Sequence, residues 1–137
     1  MRAAVMPRIS APTFPPDGRT RDIAVVDDDM AVRDSLRFLL EAAGFAVRTY
    51  NSADQFLNAT GMWLPGCLIV DHNMPLVTGV ELLAELRSRG IAVPAVLITA
   101  ALSPELRGRA LALGAGLVLA KPLTGDDLLG FVTAVLG

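Results

Sequence analysis

Five times along this chain a short apolar run gives way to a stretch in which apolar residues return at helical spacing. Ile23 to Val26 is apolar and rich in β-branched residues, and it ends in Asp27-Asp28-Asp29. From Met30 the apolar positions become Val32, Leu36, Leu39, Leu40 and Ala43, with Asp29 placed to cap a helix and Gly44 to end it. Phe45 to Tyr50 alternates as a second strand, with Phe45, Val47 and Thr49 opposite Ala46, Arg48 and Tyr50. Ser52 opens a short helix through Asn58, Gln55 is spaced to complete a capping box, and Trp63 in the loop from Gly61 to Gly66 is expected to cover that helix.

Leu68 to Val70 reads as a third strand, delivering Asp71 to the sheet edge. The helix after Gly79 should bury Val80, Leu83 and Leu86, with Leu82 at the margin, while Glu81, Glu85, Arg87 and Arg89 face water and Gly90 stops it. Pro94 to Thr99 is a fourth strand, and Ser103-Pro104 then supplies a cap and a first-turn proline for a helix with Leu106, Ala110 and Leu113 inside. Ala115 to Ala120 is a fifth strand, Lys121-Pro122 breaks it, and Thr124 is placed to cap a last helix from Gly125 to Leu136. Strict alternation of strand and helix predicts an α/β fold, a parallel sheet covered by helices on both faces and joined by right-handed crossovers.

Composition narrows this to one folded unit. A chain of 137 residues holds one core, assigned to residues 23–137, and the proline-rich stretch 1–22 reads as a flexible leader. A net charge of -2 without a basic stripe argues against direct nucleic-acid binding. The single cysteine, Cys67, leaves no internal disulfide and fits a reducing compartment. No secretory signal and no membrane-length apolar run is evident, so a cytoplasmic location is the expectation. At 53% hydrophobic the chain is rich in apolar residues, and the last helix carries Leu128, Leu129, Phe131, Val132, Val135 and Leu136 over more than one stripe, a face that a second subunit could cover in a homodimer.

Candidate chemistry lies at the strand ends, where ligands of open α/β sheets bind. Asp27 and Asp28 follow the first strand, Asp71 the third, Thr99 closes the fourth and Lys121 follows the fifth. Several carboxylates offset by one lysine would repel one another unless a cation were bound, and oxygen donors without a His or Cys cluster point to Mg²⁺ or a similar hard ion. Against capping or turn roles for these acids, the assembled set favours Asp71 as a nucleophile towards phosphorus, with Thr99 and Lys121 on the phosphoryl oxygens. A dinucleotide fingerprint fails, because Gly114-Ala115-Gly116 lacks a third glycine and precedes a strand; no P-loop or hydrolase triad occurs.

These residues resemble the receiver domain of two-component response regulators, most closely the receiver halves of FixJ-type regulators. The resemblance rests on Val26-Asp27-Asp28-Asp29, Asp71-His72-Asn73-Met74-Pro75, Thr78-Gly79-Val80-Glu81-Leu82-Leu83, Leu97-Ile98-Thr99-Ala100, Gly114-Ala115 and Lys121-Pro122. It implies a (βα)5 domain of flavodoxin-like strand order 2-1-3-4-5, with Asp71 as phosphoacceptor. It further implies direct Mg²⁺ ligation by Asp28, Asp71 and the backbone carbonyl of Asn73, with Asp27 acting largely through water. Thr99 and Lys121 would bind the phosphoryl group, and the Lys121-Pro122 peptide would be cis. The partner would be a sensor histidine kinase or histidine phosphotransfer protein, and the chain a signalling phosphoacceptor that assists its own phosphorylation and dephosphorylation rather than an enzyme.

Two departures stand out. Val118 occupies a position where the family usually has an aromatic ring, so readout is expected through displacement of the fourth helix and an apolar surface made by Leu117, Val118, Ala101 and Leu102, with signalling through the fourth-helix, fifth-strand and fifth-helix face. His72 and Asn73 follow the nucleophile; His72 reads as a packed or exposed neighbour, and Asn73 and Ala101 as residues flanking the pocket. The alternative to a phosphorelay component is a receiver-like interaction module that works independently of phosphorylation. An aspartyl-phosphate phosphatase lacks its second acid, since Asn73 stands there. The sequence contains no output domain, as expected of a stand-alone receiver or one cut from a longer regulator.

Overall fold

The computed structural model describes residues 20–137, so most of the leader assigned to 1–22 lies outside the described residues. The elements run β1 (Ile23–Val26), α1 (Met30–Ala42), β2 (Val47–Tyr50), α2 (Ala53–Ala59), β3 (Cys67–Asp71), α3 (Gly79–Ser88), β4 (Ala95–Thr99), α4 (Pro104–Ala112), β5 (Ala115–Ala120) and α5 (Asp126–Leu136). The strands form one five-stranded sheet in the order β2-β1-β3-β4-β5, with every neighbouring pair parallel. Strand order reverses between β1 and β3, which opens a crevice beyond their carboxyl ends. Register aligns Val26 with Val70, Asp71 with Ile98 and Thr99 with Ala120. The residues that follow the strands therefore emerge side by side.

Two apolar layers sandwich the sheet, because alternate strand residues point to opposite faces. Ile23, Val25, Ile69 and Ile98 meet Leu36 and Leu40 of α1 and Leu128, Val132 and Leu136 of α5. Ala24, Val26, Leu68, Val70 and Leu97 meet Phe56 of α2, Val80 to Leu86 of α3, and Leu106 and Ala110 of α4. Burial on both faces explains why β1, β3 and β4 are continuous apolar runs rather than alternating ones. Ahead of β1, the Thr20 N–H donates to the Leu64 carbonyl at 2.8 Å, and the Gly66 N–H to that of Asp22 at 2.8 Å, joining this stretch to the domain.

Several local expectations change. β2 begins at Val47 rather than Phe45, because only Val47 to Tyr50 pairs with β1. Ala43 is exposed, beyond the inner stripe of α1. Ser52 caps α2 by accepting from the Gln55 N–H at 3.1 Å, but the Gln55 amide oxygen takes the N–H of Asn51 at 2.7 Å, one residue before a true capping box. Trp63 lies on β2 side chains, 4.4 Å from the Arg48 guanidinium and 6.3 Å from the Tyr50 ring. Leu82 is fully buried rather than marginal. Thr124 does not cap α5; Gly125 occupies the N-cap with φ 93° and no side-chain bond. Val118 is buried under α4 instead of forming surface, and Leu117 is half-buried in the opposite layer. Ala101 and Leu102 are exposed as expected, and Leu111 of α4 is the other large apolar residue exposed there. Leu129, Phe131 and Val135 are half-covered by their own domain. Among the described residues no helix is long and apolar enough to cross a membrane.

Candidate functional site

β3 delivers Asp71 to the crevice because its last residue is still in the ladder, its neighbour His72 donating a backbone N–H to the Ile98 carbonyl at 2.7 Å. Asp71 is 3% exposed, as is befitting a carboxylate at the bottom of a cleft rather than on a loop tip. Its Oδ1 accepts the Asn73 N–H at 3.2 Å and lies 3.3 Å from Lys121 Nζ. The same ammonium is 3.6 Å from Asp27 Oδ2. Lys121 reaches both acids because its N–H bonds the Thr99 carbonyl at 2.8 Å, continuing the β4–β5 ladder, before the cis Lys121-Pro122 peptide.

Asp27, Asp28 and Asp71 each place a carboxylate oxygen within 4.8 Å of the others. Asp27 Oδ1 accepts the Asp29 N–H at 2.9 Å, and Arg33 of α1 donates to the Asp27 carbonyl at 2.7 Å, pinning the end of β1. Asp29 is diverted to α1, accepting from Ala31 N–H at 2.9 Å and Val32 N–H at 3.4 Å. Burial raises the pKa of Asp27 above the ordinary carboxylate value, and the negative charges of Asp71 and Asp28 add to this; the Asp29 N–H and Lys121 oppose them. A hard divalent cation would remove that repulsion, and an all-oxygen, acidic donor set of this spacing suits one.

Thr99 is fully buried at the end of β4. Its hydroxyl accepts the Ala101 N–H at 3.1 Å and donates to Asn73 Oδ1 at 3.1 Å, and the Ala100 N–H reaches that same oxygen at 2.7 Å. His72 is half-buried, and its Nδ1 accepts the Val80 N–H at 3.4 Å. Burial holds its pKa below the ordinary imidazole value, with the Arg109 guanidinium adding to the effect and Asp71 and Glu81 opposing it.

The structure thus gathers Asp27, Asp28, Asp71, Thr99 and Lys121 around one cleft, with Asn73 bridging the ends of β3 and β4. Arg33 is the participant that strand-end reasoning missed, and Asn73, expected to flank the pocket, does so by bonding Thr99 and Ala100. Arg33 signals its role weakly, as a basic residue one helical turn inside α1. Asn73 is the carboxamide two residues past Asp71.

Residues 23–133 match the family model for the response regulator receiver domain. The transcriptional regulatory protein FixJ of Azorhizobium caulinodans is 41% identical over 115 residues, covering 84% of this chain and 54% of that protein. The transcriptional regulatory protein TdiR of Thauera aromatica is 37% identical over 119 residues, covering 87% of this chain and 52% of that protein. The chain therefore spans about half the length of these curated relatives. Among solved structures, full-length FixJ from B. japonicum superposes with a TM-score of 0.77 at 36% identity, over 86% of this chain and 58% of that one. The Vibrio cholerae chemotaxis protein CheY4 gives a TM-score of 0.76 at 28% identity, over 83% of this chain and 97% of that one.

Proposed function

This chain belongs to the response regulator receiver domain family, and from that membership we propose that Asp71 accepts a phosphoryl group in a Mg²⁺-dependent phosphorelay. The observation that carries the reading is the convergence of Lys121 Nζ, at 3.3 Å, and the acids Asp27 and Asp28 on Asp71. A sensor histidine kinase or a histidine phosphotransfer protein is the donor. Asp28 and Asp71, with the Asn73 backbone carbonyl and with Asp27 acting largely through water, would hold Mg²⁺, which when bound offsets the charge of the transferring phosphoryl oxygens.

The protein's own groups do the rest. An Asp71 carboxylate oxygen forms the new O–P bond as the N–P bond of the donor phosphohistidine breaks, and the bonding electron pair leaves on the imidazole nitrogen, which takes up a proton. Lys121, salt-bridged to both acids beforehand, moves its charge onto a phosphoryl oxygen, and Thr99 supplies a hydroxyl donor. Burial and the neighbouring carboxylates raise the Asp27 pKa, and a bound cation would act against that rise. Signalling then passes through the face made by α4, β5 and α5. Since Val118 is buried without a ring to rotate, α4 displacement is the readout.

Acetyl phosphate with Mg²⁺ should label the wild-type chain, and Asp71→Asn should remove the label. Labelling that survives in Asp71→Asn, or that ignores Mg²⁺, would sink the reading.

A further inference from the structure

Two donors that end β4 already point at a single oxygen, and that oxygen belongs to the protein. The Thr99 hydroxyl and the Ala100 N–H converge on Asn73 Oδ1 at 3.1 and 2.7 Å. The Thr99 oxygen at the same time accepts the Ala101 N–H at 3.1 Å, so its O–H is the group it offers to Asn73. A hydroxyl and a backbone N–H converging on one point form an anion-binding pair of the kind that stabilises an oxyanion. Asn73 is tied at the same time to the nucleophile, its own N–H donating to Asp71 Oδ1 at 3.2 Å. The carboxamide therefore sits between Asp71 and the donors of β4, the place where a group carried on Asp71 must find its oxygens' partners.

We propose that the Asn73 side chain is an internal occupant of the phosphoryl-oxygen subsite formed by Thr99 and Ala100, a positioning residue that holds the β4–α4 junction in its resting arrangement. The proposal rests on the phosphoacceptor reading of Asp71. A phosphoryl oxygen arriving on Asp71 competes for the same two donors as a charged, stronger acceptor and evicts Oδ1. Thr99 and Ala100 then move from a ligand on the β3–α3 loop to one on Asp71 itself. Because Ser103, three residues beyond Ala100, caps α4 at the Leu106 N–H, the exchange acts directly on the start of that helix. In this domain the displaced Asn73 amide, rather than a rotating ring at position 118, is the first step of readout.

The test uses the full chain with Mg²⁺ and beryllofluoride, a mimic of the phosphoryl group on Asp71. Without an occupant to displace, Asn73→Ala should bind beryllofluoride about five- to thirtyfold more tightly than wild type, the equivalent of one to two neutral hydrogen bonds. A structural readout separates this from a nonspecific effect. In the resting state the Ala100 amide proton should move upfield in Asn73→Ala by NMR but stay near its wild-type position in Asn73→Asp, whose carboxylate still accepts both donors. Equal or weaker beryllofluoride binding by Asn73→Ala, or an Ala100 resonance that ignores the substitution, overturns the proposal while leaving the phosphoacceptor reading intact. Failure of wild type and Asn73→Ala alike to bind beryllofluoride with Mg²⁺ removes that reading, and the proposal with it.

Discussion

Arg87 is a charged side chain that this domain uses from the inside. Its guanidinium donates to the carbonyls of Leu113 at 2.7 Å, Ile91 at 2.9 Å and Val93 at 3.1 Å, tying the end of α3 to the loop before β4 and to the end of α4. Burial lowers its pKa, yet the group stays charged because an arginine starts so far above neutrality. Arg87→Met should lower stability by about 2–3 kcal/mol in urea denaturation, since several half-buried carbonyls lose their donor. Arg87→Lys should recover less than half of that, because an ammonium cannot fork to three separated carbonyls. Helical spacing had put Arg87 in water. Periodicity tells where a Cα lies on a helix, not where a long side chain ends, and Arg87 starts at the edge of the buried stripe. Leu76 poses the opposite case: exposed and at φ 70°, it is the one non-glycine in the left-handed region among the described residues. Leu76→Gly should raise stability by about 0.5–1 kcal/mol in the same assay, the left-handed penalty removed minus the entropy that glycine adds.

At the scale of an element, the β3–α3 junction decides where Asp71 points. Thr78 caps α3 by accepting from the Glu81 N–H at 3.2 Å, and Glu81 returns the bond to the Thr78 N–H at 2.9 Å. Gly79 must lack a side chain, as a Cβ there would lie 2.8 Å from the Asp71 carbonyl and 2.9 Å from His72 Cα. Thr78→Ala should cost about 1 kcal/mol in denaturation, by loss of the cap alone. Gly79→Ala should cost more and also weaken acetyl-phosphate labelling, because backbone has to move next to Asp71. The bonds from Thr78 lower the Glu81 pKa below its ordinary value. That contribution to stability is present above the unfolded-state pKa and is lost as pH falls through the lower folded-state one; acid denaturation of Glu81→Gln should lack it. The five strands and five helices were legible because apolar period and punctuating Gly, Ser and Pro agree. Asp29, Ser52 and Ser103 were legible as caps too, and the caps of α3 and α5 were not. Thr78 caps α3 although only Gly79 was expected ahead of that helix, and Gly125 takes a left-handed entry to α5 that Thr124 seemed placed to cap.

Across the whole molecule, one parallel sheet converts distant sequence positions into one cleft. Asp27, Asp71, Thr99 and Lys121 were legible as a set because parallel strands in register must bring their carboxyl ends together. Asn73 as the resting partner of Thr99 was not, since no local pattern says which acceptor a buried hydroxyl will choose. The clustered acids set a linkage: a cation that binds the folded chain stabilises it by mass action, about 1.4 kcal/mol at ten times its dissociation constant. Mg²⁺ should therefore raise the wild-type Tm, and Asp28→Ala should lose most of that rise in calorimetry. The central claim, that Asp71 is the phosphoacceptor, is tested most directly by trapping. After incubation with acetyl phosphate and Mg²⁺, borohydride reduction followed by peptide mass spectrometry should find the reduced product at Asp71 alone. Reduction at another carboxylate, or at none, would contradict the account.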